Sequence, residues 1–78
     1  MFLVIGIKHQ KHKSMVIRYE KELDIMYIKL SEGKVAESDE EKPGLIFDYD
    51  ESGNIMGIEI LNASQKVNLP NGVQYEVA

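Results

Sequence analysis

The chain has 78 residues, 44% of them hydrophobic, with no cysteine and a formal net charge of −4. A chain of that length makes one small domain that buries only about 60% of the surface its unfolded form exposes, so its core is marginal. Without thiols it has neither disulfides nor thiolate metal sites, which leaves self-association or an oxygen-ligated cation as support.

The charge is unevenly spread. Residues 1–14 hold Lys8, Lys11 and Lys13 and no acid, and from Met15 onward six basic residues face thirteen acidic ones, a balance near −7. An acidic body is repelled by phosphate backbones, so no nucleic-acid partner is expected. No apolar run approaches the roughly 18 residues that span a membrane, so no membrane partner is expected either. The lack of cysteine fits a reducing, cytoplasmic setting.

In chain order, residues 2–7 (Phe-Leu-Val-Ile-Gly-Ile) read as an extra strand, the alternative being a segment that precedes a domain starting at Met15. The lysines follow this apolar run instead of preceding it, which is the reverse of a secretory signal. Met15–Tyr19 and Ile25–Leu30 read as strands joined by a polar connection over residues 20–24. Alternation puts Ile17 and Tyr19 on one face, with Met26, Ile28 and Leu30 as their partners. Residues 31–34 are a turn. Residues 35–42 lack an apolar stripe and are closed by Pro43-Gly44, so they read as an exposed edge strand or loop. Leu45–Tyr49 and Ile55–Leu61 flank a turn at Asp50–Asn54, with Met56, Ile58 and Ile60 alternating on the return. Asn62 is a candidate cap for a short helix over 62–67. A turn at Leu69–Gly72 precedes a last alternating strand at Val73–Val77. The expectation is a mainly β fold: one small antiparallel sheet, a meander of hairpins with at most that one short helix, or alternatively an α+β arrangement. One domain spans residues 1–78.

Two blocks carry a resemblance. They are Ile17–Leu30 (IRYEKELDIMYIKL) and Asp48–Leu61 (DYDESGNIMGIEIL), the second followed by Ala63-Ser64. In that order they resemble the domain-of-unknown-function family numbered 2283, over about residues 15–66. These are small prokaryotic proteins that typically begin near the position of Met15. Residues 1–14 and 68–78 lie outside the likeness. The family carries no assigned activity. Its resemblance implies a fold and leaves room for an antitoxin-like role, inhibiting a small partner protein.

The sharpest candidate site is an ion loop. Asp48, Asp50, Ser52, Gly53 and Glu59 fall at positions 1, 3, 5, 6 and 12 of an EF-hand-type spacing, which suits a hard cation wanting several oxygens around a sharp turn. The flanks are strand-like where that motif needs helices, so the stretch reads first as a hairpin with Gly53 left-handed. What remains is weak calcium binding by Asp48, Asp50 and Ser52 at the hairpin tip, with no other cofactor expected. Seven acids between Glu37 and Glu51 face the single cation Lys42. They make either a solvated, edge-guarding face or a dock for a basic protein. His9 and His12 form H-x-x-H, but they sit among lysines without a third ligand and read as solvated residues. There is no cysteine, no glycine-rich phosphate loop and no histidine within residues 15–78, so no catalytic residue is expected. The expected function is therefore a non-catalytic protein-interaction or self-associating domain, a homodimer.

Overall fold

A computed structural model describes residues 15–68 and 73–78 of the chain. Five strands, β1 (Val16–Glu20), β2 (Ile25–Lys29), β3 (Glu37–Lys42), β4 (Leu45–Tyr49) and β5 (Ile55–Leu61), are followed by a 3₁₀ turn at Ala63–Gln65. They form one sheet in the order β1-β2-β5-β4-β3, antiparallel throughout. The mainly β expectation of one antiparallel sheet holds, but the sheet is not a simple meander of hairpins, because β2 and β5 are neighbours.

Sequence order and spatial order part company once. After β2 the chain runs through residues 30–36 along one end of the sheet to the far edge, and β5 comes back to lie beside β2. The composition of the strands gives the reason. β3 is Glu-Ser-Asp-Glu-Glu-Lys, exposed at every position, and belongs at an edge. β5 carries Met56, Ile58 and Ile60 and occupies the centre.

Register sorts the residues into two faces. Ile17 lies opposite Ile28 and Tyr19 opposite Met26; Met26 and Ile28 then face Ile60 and Ile58, which in turn face Leu45 and Phe47. This is the apolar face that alternation foretold on β1, β2 and β5. The other face is mixed, with Arg18, Tyr27, Glu59 and Ile46 in one cross-strand row.

The turns follow local chemistry. Pro43-Gly44 forms the two-residue link between Lys42 and Leu45, with Gly44 at φ 80°, as a type II turn requires of its second central residue. Gly53 takes φ 86° at the β4–β5 tip, the left-handed position expected for it. A register shift near that tip leaves Met56 between the Gly57–Asp48 and Ile55–Tyr49 pairs. The Met56 carbonyl accepts the N–H groups of Leu30 (2.8 Å) and Ser31 (3.3 Å), so this bulge anchors the crossing segment.

The one short helix expected at most over residues 62–67 is the 3₁₀ turn at Ala63–Gln65. Two other expectations need correction. Asn62 does not cap it, being left-handed (φ 53°) with no side-chain cap. Val73–Val77 forms no strand: Val73, Tyr75 and Val77 are exposed, and alternation alone makes no strand without a ladder to join. The expected strand at residues 2–7, the histidine pair and the turn at Leu69–Gly72 lie outside the described residues.

Candidate functional site

One sheet is one layer, and a layer with an apolar face needs something against it. Among the described residues only Met56, Ile60 and Ala63 are buried hydrophobics, at 4%, 8% and 0% exposure. Met26, Ile28, Leu45, Phe47 and Ile58 stay half-buried, and Ile17 is exposed. The four strands that carry this face, about 4.8 Å apart and about five residues long at about 3.3 Å per residue, present a planar area on the order of 300 Å². An apolar patch of that size is often functional.

Along the β3 edge the apolar face gives way to carboxylates. Glu37 and Asp39 are opposite Tyr49 and Phe47. The Tyr49 hydroxyl donates to Glu41 Oε2 at 2.6 Å. That hydrogen bond is the main reason its phenol is pushed up to about 12, with Glu41, Asp39 and Glu37 adding negative potential. Phe47 and Tyr49 stand side by side with ring centroids 6.5 Å apart, linking the apolar and acidic parts.

On the opposite face, polar side chains tie distant strands together. The Tyr27 hydroxyl reaches across β5 and donates to Asp48 Oδ2 on β4 at 3.0 Å. Ser38 of β3 donates to the other oxygen of the same carboxylate at 2.6 Å. The phenol can cross because Gly57 lies beneath it: a Cβ there would collide with the Tyr27 hydroxyl and come within 2.9 Å of its Cζ. Burial and the bond to Asp48 raise the Tyr27 phenol above its ordinary value.

A second node sits at the β1–β2 turn. Asp24, left-handed at φ 55°, accepts from the Tyr19 hydroxyl (2.8 Å), the Ser64 N–H (2.9 Å) and the Ser64 hydroxyl (2.7 Å). Its carbonyl also accepts the Ala63 N–H at 2.9 Å. Asp24 therefore does the capping that sequence assigns to Asn62. The Ser64 hydroxyl, first among these donors, holds the Asp24 carboxyl below its ordinary range. Neither Asp24 nor Ser64 stands out in the sequence, because the contact spans forty residues.

The three candidate cation ligands are placed as follows. Asp48 points to the polar face, where Tyr27 and Ser38 occupy both its oxygens. Asp50 opens the tip: its Oδ1 accepts the N–H groups of Ser52 and Asn54, each at 2.9 Å, and its Oδ2 accepts from Asn54 Nδ2 at 3.1 Å. The Asn54 N–H, above all, lowers the Asp50 carboxyl. Ser52 is exposed on the tip. Glu59 lies mid-strand between Tyr27 and Ile46, away from the loop, and both flanks are strands, so this is a hairpin and no EF-hand. Among the described residues no three His, Cys, Asp or Glu side chains are grouped to hold a metal ion. No helix among them is long and apolar enough to cross a membrane.

Neither the curated proteins nor the solved structures contain a match to this chain. A protein family does match, over residues 16–64, which takes in all five strands and the Asp24–Ser64 contact. More than half of the sequence is thus accounted for, and the chain belongs to the family described as protein of unknown function DUF2283.

Proposed function

We propose that this chain is a non-catalytic, self-associating β domain, a homodimer working in the cytoplasm. The observation that carries the reading is the apolar face of a single-layer sheet, half-buried and without a second layer among the described residues. A domain this small gains most of its missing burial from another copy. Specific interfaces bury about 800 Å² per partner, so an apolar face of about 300 Å² planar, with its pleat and rim, suits a modest, reversible association. The chain's complete lack of cysteine suits a reducing compartment. Sedimentation equilibrium from low to high micromolar concentration tests the reading. A mass that rises towards twice that of the chain is expected; one that stays at the monomer throughout defeats it.

A second reading rests on the acidic row of β3. Glu37, Asp39 and Glu41 beside Tyr49 offer a basic partner protein a complementary potential, which acts mainly on association rate. An antitoxin-like inhibitor of a small basic protein would use such a row. Pull-down with the wild type and with Glu37, Asp39 and Glu41 all changed to Gln tests it: a prey lost with the charges supports this reading, and recovery of the chain alone opposes it. Loose calcium binding at the tip has less in its favour, since the Asp48 and Asp50 oxygens already have partners.

A further inference from the structure

The sheet has two edges of opposite character. β3 presents Glu37, Asp39, Glu40 and Glu41 against one lysine, and two copies meeting there would bring like charges together. β1 has a neighbour only on its β2 side among the described residues. It reads Val-Ile-Arg-Tyr-Glu, without lysine, proline or glycine, and leaves Val16 45% and Ile17 40% exposed. An unguarded strand edge of this kind is a template for another strand.

The charges on β1 make it complementary to itself. Arg18 and Glu20 stand two residues apart on the same face, and within one chain the guanidinium already meets the carboxylate, Nη2 to Oε2 at 2.8 Å. A two-fold, antiparallel pairing exchanges these positions. Centred on Tyr19, it sets each Arg18 directly opposite Glu20 of the second copy. Centred on Arg18, it would instead set the two Arg18 side chains directly opposite each other, which disfavours that register. The Tyr19-centred register keeps Ile17 and Tyr19 of the two copies on one side, so the apolar face continues across the join. A one-residue slip would set them against Arg18 and Glu20.

We infer that a second copy of this chain pairs antiparallel with β1, edge to edge, fixed in register by reciprocal Arg18–Glu20 ion pairs. The inference rests on the self-association reading above but places the contact on the β1 edge and not on the apolar face, which this pairing extends and leaves open. Sedimentation equilibrium of the full chain, of Arg18→Glu, of Glu20→Arg and of their equimolar mixture tests it. Both side chains are exposed, and circular dichroism checks that each variant folds. The wild type is expected to associate, and each single variant to bind itself at least ~10-fold more weakly because like charges then face each other. The mixture is expected to recover association, since the doubly acidic strand of one variant meets the doubly basic strand of the other. A monomeric wild type removes self-association altogether. A wild type and variants that associate equally keep self-association and overturn the β1 edge, assigning the contact to the apolar face. Hydrogen exchange at residues 16–20 should slow as concentration rises; protection that ignores concentration means the edge is occupied within one chain, and overturns the inference.

Discussion

Asp24 and Asp50 are both turn aspartates with lowered carboxyl pKa values, yet they hold different parts of the molecule. The Asp50 carboxylate bonds only to residues two and four positions on, and shapes its own hairpin tip. Asp24 bonds to Ser64, forty residues away, and fastens the end of β5 to the β1–β2 turn. Asp48 belongs with Asp24, joining β2, β3 and β4 through Tyr27 and Ser38. The same chemical group thus closes a local loop in one place and locks the topology in two others. A carboxylate that orders its neighbours can be lost with little effect elsewhere, whereas one that joins distant segments supports the whole sheet.

The largest effect should come from breaking the Asp48 link without touching Asp48. Gly57→Ala puts a methyl group where the Tyr27 phenol crosses β5 and is expected to cost about 1–3 kcal/mol in chemical denaturation. Tyr27→Phe in the same background should recover little, because the ring itself is in the way. Next comes Asp24→Ala, which strands the Ser64 donors and puts a β-carbon without a carboxylate at positive φ. The melting midpoint should fall by roughly 5–10 °C. Asp24→Asn, which tolerates the left-handed region and keeps an acceptor, should recover part of that fall. Asp50→Ala should lower the midpoint by only about 2–4 °C, with amide shifts confined to residues 48–56. Equal midpoints for Asp24→Ala and Asp50→Ala would end the distinction between them.

The smallest effects are those of pH. Both aspartates have folded-state pKa values below the usual 3.8, so their stabilisation is present above that pH and is lost as pH falls through the folded values. Asp24→Ala should flatten the acid limb of a stability–pH profile. Tyr49 gives the opposite limb. Its pKa is raised from 10.0 to about 12, so the folded state holds the proton more tightly, and stability present below pH 10 is lost between pH 10 and 12. Tyr49→Phe should remove that part of the alkaline loss, and the last phenol to ionise in an ultraviolet titration should disappear with it.

What could be read from the sequence follows the same division. The Asp50–Asn54 tip, the Pro43-Gly44 turn and the alternation of Met56, Ile58 and Ile60 depend on residues a few positions apart, and these were legible. So was the exposure of β3, because a strand of acids has no place in the middle of a sheet. Pairing of β2 with β5 was not legible, because period-two alternation names a face and never a neighbour. Tyr27 and Asp48 could be put on one face only after that pairing was known, and Gly57 then explains itself as the gap the phenol crosses. Asn62 misled because it precedes a helix-like run, while the group that satisfies those N–H groups comes from Asp24. Val73–Val77 misled in the other direction, with strand spelling and no ladder. For the candidate cation ligands, residue type and spacing were legible, but not the donors that occupy Asp48 and Asp50.

The crossing segment at residues 30–36 has one more consequence. On either side of it lie two pieces with only local pairings: the β1–β2 hairpin, and the β3–β4–β5 run with its 3₁₀ turn. They meet along the single β2–β5 ladder, through the Tyr27–Asp48 bond and through the Asp24–Ser64 clamp. Each piece can form its own contacts early, and docking them is the slow, non-local step. A chain cut between Gly33 and Lys34 should therefore reassemble from its two fragments when they are mixed, giving back the β-sheet circular dichroism of the uncut protein.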